Sequence, residues 1–186
     1  MINVNHIEAG SYVNGTGKRF VLWVQGCGFH CKGCGNPDTW SFDENKYYSV
    51  QELLSMIIKD SSLDGVTFSG GEPFLQAEEL SKLAAAIKEH TKLTIHIFTG
   101  FELEEIKQPK QIKLLNLVDT LVYGRFDKTK PNNNQKVWHN PQGNDSWKFN
   151  NTDVEIDIDN DGDININGFP TEELINDIKD IQNERI

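Results

Sequence analysis

The chain has few cysteines, and those it has sit together. There are three in 186 residues, Cys27, Cys31 and Cys34, all inside one eight-residue stretch. Three thiols on so short a loop cannot all pair with one another, which excludes a disulfide framework. Long apolar runs are missing too: nothing approaches the ~18 consecutive apolar residues that a membrane-spanning helix needs. Positive charge is scarce, with 18 Lys and Arg against 28 Asp and Glu and a net charge of −10. Such a surface opposes the phosphate contacts of nucleic-acid binding, so neither a nucleic acid nor a membrane is an expected partner. The first ten residues lack a basic stretch followed by an apolar core, so no export signal is expected there. Together with clustered free cysteines, this points to a reducing cytoplasm. The length suits a single domain with one core.

What is present alternates between strand and helix patterns. Residues 1–19 are polar and glycine-rich, with Asn14-Gly15-Thr16-Gly17 as a loop signal. The apolar run 20–24 reads as a buried strand that delivers the cysteines at its C-terminal end. Ser49 and Glu52 have capping-box spacing and open an amphipathic helix to about Lys59. Strands are expected at 66–69, 93–98 and 118–122, and a strong helix at 78–90. Two weaker helical pieces, near 102–107 and 111–115, are separated by Pro109. This alternation implies βα units and a parallel sheet.

Residues 128–151 read as a long polar loop of the kind that forms lids or binding segments, with Val137-Trp138 as a possible short strand. Apolar and polar residues then alternate over 154–158 and 164–166, which reads as a hairpin turning at Asp161-Gly162. Thr171 caps a final helix whose apolar stripe is Leu174, Ile175, Ile178 and Ile181. The acidic run from Asp157 imitates a calcium loop, but its twelfth position is Gly168 where a bidentate Glu is required, so the hairpin is preferred.

The cysteines run Cys-x3-Cys-x2-Cys. Buried free cysteines are one reading. A structural zinc site is a second, with His30 as the fourth ligand. An iron–sulfur cluster is the third: a [4Fe–4S] cluster usually takes four cysteines, so three leave one iron open to a small molecule. About one βα unit downstream, Gly70-Gly71-Glu72-Pro73 follows a strand. Its glycines allow close backbone approach, and its carbonyls can receive an ammonium group.

On these residues the chain resembles the radical SAM proteins, in particular the small activating enzymes of glycyl radical enzymes. The match runs from Asn14 to about Pro170. Its most specific parts are Gln25-Gly26-Cys27 through Trp40 and Phe68-Ser69-Gly70-Gly71-Glu72-Pro73. Asn14-Gly15-Thr16-Gly17-Lys18-Arg19-Phe20, Leu121-Val122-Tyr123-Gly124-Arg125-Phe126 and Asn133-Asn134-Gln135-Lys136-Val137 also resemble family segments. Asn14 and Tyr123 depart from the acidic residues usual at their positions.

The resemblance implies a partial (β/α)6-type radical SAM barrel in one domain. Its core would span about 14–126, followed by the loop 128–151 and by a hairpin and terminal helix over 152–186. It implies a [4Fe–4S] cluster on Cys27, Cys31 and Cys34. It also implies S-adenosylmethionine held by Ser69, Gly70, Gly71, Glu72 and Pro73, with Thr99, Arg125, Asn134 and Gln135 near the cofactor. The implied reaction is reductive cleavage of S-adenosylmethionine, followed by hydrogen-atom abstraction from a glycine of a partner enzyme. An anaerobic ribonucleotide reductase is the foremost partner, and a flavodoxin- or ferredoxin-type protein the electron donor. The chemistry is carried by the cofactors, so no catalytic acid or base is named. A radical SAM enzyme acting on a small molecule, resembling 7-carboxy-7-deazaguanine synthase, is the alternative, followed by a non-catalytic zinc or iron–sulfur module.

Overall fold

The computed structural model describes residues 1–130, 134–143, 145, 154–158, 164–168 and 170–183. The chain from 2 to 139 builds one seven-stranded sheet. Its strands are β1 (Ile2–Ser11), β2 (Arg19–Val24), β3 (Lys46–Tyr48), β4 (Gly65–Gly70), β5 (Thr94–Phe98), β6 (Thr120–Tyr123) and β7 (Lys136–His139). The order across the sheet is β3-β1-β2-β4-β5-β6-β7. The four central strands, β2, β4, β5 and β6, are parallel to one another. β1, β3 and β7 add antiparallel edges.

Helices α1 (Val50–Lys59), α2 (Ala77–His90) and α3 (Pro109–Leu115) make the crossovers between the parallel strands. The capping box opens α1 as expected: Ser49 N–H donates to the Glu52 carboxylate at 2.7 Å and Glu52 N–H to Ser49 Oγ at 3.2 Å. Pro109 does not interrupt a helix. It stands at the start of α3, where its missing N–H costs no bond. Leu80, Leu83, Ala84 and Ile87 of α2 are fully buried against Val66, Phe68, Ile95 and Ile97 of the sheet.

The architecture is therefore mixed α/β with a sheet at its core, and the described residues form four parallel strands where six βα units were expected. The N-terminal stretch holds a strand that its polar, glycine-rich composition did not suggest. Residues 2–11 form β1, which buries Ile2 and Val4 and pairs with β2. Its alternation is broken by two register shifts, at Val4/His6 and Glu8/Ser11, which hides the strand period.

A two-stranded antiparallel unit, β8 (Val154–Ile158) and β9 (Ile164–Gly168), follows, and then α4 (Glu172–Asn183). The hairpin is as expected, but its register is offset. Ile158 pairs with Ile164, whereas a two-residue turn at Asp161-Gly162 would pair Ile158 with Asn165. The turn itself, and much of the loop 128–151 apart from β7, lie outside the described residues. Thr171 caps α4 through its hydroxyl, which accepts from Leu174 N–H at 3.2 Å. No described helix is long and apolar enough to cross a membrane.

Candidate active site

All four parallel strands end on the same side of the sheet, where sites collect in α/β folds. β2 runs into the cysteine loop, β4 into Gly70-Gly71-Glu72-Pro73, β5 into Thr99-Gly100, and β6 into Gly124-Arg125. These segments surround a cavity of about 680 Å³. Cys27, Cys31 and Cys34 all line it, as do Ser69, Gly70, Gly71, Glu72, Thr99 and Gln135.

The entry to the cysteine loop is stitched on two sides. Gly26 and Cys27 donate their N–H groups to the carbonyls of Thr39 and Trp40, at 2.8 and 3.1 Å. On the other side, Gly71 N–H donates to Val24 O at 2.8 Å and Glu72 N–H to Gly26 O at 2.9 Å. These contacts between the two loops are backbone to backbone. Gly70 has φ +98°, and a Cβ there would lie 2.6 Å from Trp23 Cα. A Cβ at Gly71 would strike the Gly26 carbonyl. The glycines thus let the turn close onto the residue before Cys27.

Glu72 is buried and joins this turn to the end of β5. Its carboxylate accepts from Phe74 N–H, the Thr99 hydroxyl and Gly100 N–H, each at 2.8 Å. Burial pushes its pKa up to about 7, with the three donors and Arg125 pulling against that rise. Burial also pushes the Cys27 thiol up. The Phe29 N–H pulls it partly back, and the neighbouring Glu72, Cys31 and Cys34 add to the rise. Three thiolates beside a carboxylate repel one another, and iron centres would neutralise them.

Among the described residues, no three His, Cys, Asp or Glu side chains converge closely enough to share one metal ion. The thiols instead face a common cavity, which suits a multi-iron cluster in which each thiolate takes its own iron, and not a closed tetrahedral zinc. His30, the candidate fourth zinc ligand, packs edge-on against Trp40 with ring centroids 4.8 Å apart and does not line the cavity. The residues present therefore fit such a cluster, and Gly70, Gly71 and Glu72 line the same cavity.

A family model described as a 4Fe-4S single cluster domain matches residues 13–143. The anaerobic ribonucleoside-triphosphate reductase-activating protein of Enterobacteria phage T4 is 34% identical over 160 residues, covering 79% of this chain and 99% of that protein. The chain belongs to the radical SAM activases of glycyl radical enzymes. The pyruvate formate-lyase-activating enzyme of Clostridium pasteurianum is 37% identical over 125 residues, 63% of this chain and 52% of that enzyme. That of Staphylococcus aureus (strain USA300) is 40% identical over 94 residues, 47% of this chain and 38% of that enzyme. The chain thus spans about half or less of these longer activases. Among solved structures, QueE from Escherichia coli superposes with a TM-score of 0.42 at 16% identity, covering 66% of this chain and 69% of that one.

Against this family background, the expected site residues divide. Ten of the twelve are placed by the strand ends themselves, and nine line the cavity. Pro73 is buried and begins the 3-10 turn after the cavity. Arg125 and Asn134 are not among the lining residues. Asn134 instead braces the β6 turn, donating to Arg125 O and accepting from Asp127 N–H at 2.8 Å. Gln135 lines the cavity while donating to Gly124 O at 2.9 Å.

Sequence reasoning missed the far wall. Ile166 and Gly168 of β9, Ile175 of α4, and Pro170 between the two elements line the same cavity as the cysteines. The Lys128–Glu172 ion pair, at 2.8 Å, ties α4 to a residue whose N–H donates to Lys32 O in the cysteine loop. The apolar alternation of 154–158 and 164–166 was visible, but nothing local says which face it covers.

Proposed function

We propose that this chain generates a glycyl radical on a partner enzyme, an anaerobic ribonucleoside-triphosphate reductase. The observation that carries this is one cavity shared by three cysteines, the Gly70–Glu72 turn and Thr99, in a chain that matches 99% of the length of a reductase-activating protein with 79% of its own. When bound, the cluster, reduced by an external one-electron donor, would pass that electron to S-adenosylmethionine and be reoxidised, and the pair would supply the one-electron, hydrogen-abstracting chemistry that a glycine Cα requires.

The chain's own residues bind, orient and exclude water. Cys27, Cys31 and Cys34 hold the cluster. Ser69, Gly70 and Gly71 present backbone groups to the ammonium and carboxylate of S-adenosylmethionine, and Glu72 fixes that backbone by accepting from Thr99 and Gly100. Thr99 and Gln135, which line the same cavity, would lie near the bound cofactor. Trp23, Trp40 and Phe98 add apolar lining that keeps water from a reactive radical. The protein acts as a single radical SAM domain, a partial barrel whose lateral opening admits a glycine-bearing loop. It works in the cytoplasm, with reduction by a flavodoxin- or ferredoxin-type donor.

The test is anaerobic incubation of the reconstituted chain, S-adenosylmethionine and reductant with a candidate reductase, followed by electron paramagnetic resonance. A glycyl radical doublet that requires all components is expected. Modification of a free small molecule without any partner protein would overturn the reading.

A further inference from the structure

Phe29 stands between Cys27 and Cys31, and it is held on both its face and its edge. The Arg125 guanidinium carbon lies 3.8 Å from the centroid of its ring. Phe101 meets it edge-on, with centroids 5.0 Å apart and planes at 76°. Arg125 is itself gripped from three directions. It makes two bonds to Glu105, at 2.7 and 3.1 Å, and it donates to the Gly100 carbonyl. Its own carbonyl accepts from Asn134.

Gly100 is where two loops meet. Its N–H serves Glu72 of the Gly-Gly-Glu-Pro turn and its carbonyl serves Arg125. A Cβ on Gly100 would collide with the Phe29 ring, so ring and backbone are in direct apposition. Phe29, Gly100 and Glu72 line the cavity, whereas Arg125 and Glu105 do not. Arg125 therefore works from behind the wall.

Resting on the function proposed above, we infer that Arg125 is a positioning residue: by clasping Phe29 against Gly100 it fixes the cysteine loop relative to the Gly-Gly-Glu-Pro turn, and so sets how the open cluster position faces S-adenosylmethionine. The clasp needs a plane and a fork together. A guanidinium stacks on a ring while bonding a carboxylate and a carbonyl in its own plane, which an ammonium cannot do. Arg125 thereby acts on the reaction without touching the cofactor.

Two arms test this on the full-length chain. In the metal-free protein, the only three thiols report directly on the loop, so maleimide labelling measures its local opening. Arg125→Ala should label about fivefold faster than wild type, the scale of losing one such stacked contact, with the melting temperature retained. Arg125→Lys should label like Arg125→Ala. In the reconstituted protein, both variants should keep wild-type iron content. They should need several-fold more S-adenosylmethionine to reach the spectral change that it causes in the reduced cluster. Phe29→Leu removes the stack while leaving Arg125 in place, and should reproduce both effects if Arg125→Ala proves unstable. Wild-type labelling and wild-type S-adenosylmethionine dependence in Arg125→Ala or Phe29→Leu would overturn the inference. Full rescue by Lys would overturn the requirement for the fork. A wild-type chain that shows no response to S-adenosylmethionine sinks the proposed function instead, and the labelling arm still decides the clasp.

Discussion

The Thr99 hydroxyl donates to Glu72 Oε1 at 2.8 Å, tying the end of β5 to the turn after β4. Glu72 also accepts from Phe74 N–H and Gly100 N–H, so one buried carboxylate closes three donors. Truncation to Ala leaves all three unpaired, and each buried orphan costs about 1–3 kcal/mol. Glu72→Ala should therefore lose about 3 kcal/mol or more in urea unfolding of the metal-free chain, against about 1 kcal/mol for Thr99→Val. A smaller loss in Glu72→Ala than in Thr99→Val would contradict the clasping role of the carboxylate.

The same group gives the metal-free fold a pH signature. Burial holds Glu72 at about 7 in place of its ordinary 4.5. An acid raised in this way binds its proton more tightly in the folded state. The corresponding stability is present below the ordinary value and is lost as pH rises towards 7, by about 3 kcal/mol at ~1.4 kcal/mol per pH unit. His96, pushed down to about 4 by burial, has the opposite slope, losing stability as pH falls from 6.5. His96 is common to both proteins, so its contribution cancels in a comparison of wild type with Glu72→Gln. The stability difference between those two should shrink steadily from pH 4.5 to 7 in favour of the variant. A flat difference would refute the assignment.

Gly71 should tolerate no side chain. Gly71→Ala forces the turn away from the Gly26 carbonyl, backbone against backbone. The expected cost is about 2 kcal/mol, or roughly 4–8 °C in Tm, together with weakened S-adenosylmethionine binding by calorimetry. Gly35→Ala, where an added Cβ meets nothing within 4 Å, is the control and should melt like wild type. Equal melting of the two variants would show that the loops are not in contact.

Arg19 is a structural counterpart at the opposite end of the strands. It is fully buried and donates to Thr67 Oγ1 and Val66 O at 2.7 Å, and to Thr16 O, Thr94 O and Thr94 Oγ1 at 3.0 Å. Arg19→Met should cost about 3–5 kcal/mol in chemical denaturation, because it strands acceptors among the buried strand ends. Iron content per folded chain should be unchanged. Loss of iron with retained stability would assign Arg19 to the site instead.

The parts of the site that were legible in sequence are those whose chemistry is contiguous. The cysteine loop and Gly70–Pro73 each carry their geometry within a few residues, directly after an apolar strand. The capping box of α1 is local in the same sense. β1 was hidden because two register shifts break its alternation and because polar Asn3 and Asn5 stand among its first residues. β3, at three residues, carries too little pattern to detect. Arg125 and Asn134 were legible as residues of a loop near the site. Their roles depend on Phe29, Glu105 and the β6 turn, partners that only the folded chain supplies. The same holds for Ile166 and Ile175, which reach the cavity from a hairpin and helix far along the sequence.

The central claim is that three cysteines in this cavity hold a cluster whose open position activates S-adenosylmethionine. The most direct measurement is 5′-deoxyadenosine formed after anaerobic reconstitution with iron and sulfide and reduction by dithionite, comparing wild type with Cys27→Ala, Cys31→Ala and Cys34→Ala. The account predicts brown wild-type protein with about four irons per chain that produces 5′-deoxyadenosine, and folded cysteine variants that produce none. Stoichiometric zinc without cleavage in the wild type, or retained cleavage in Cys31→Ala, would contradict it.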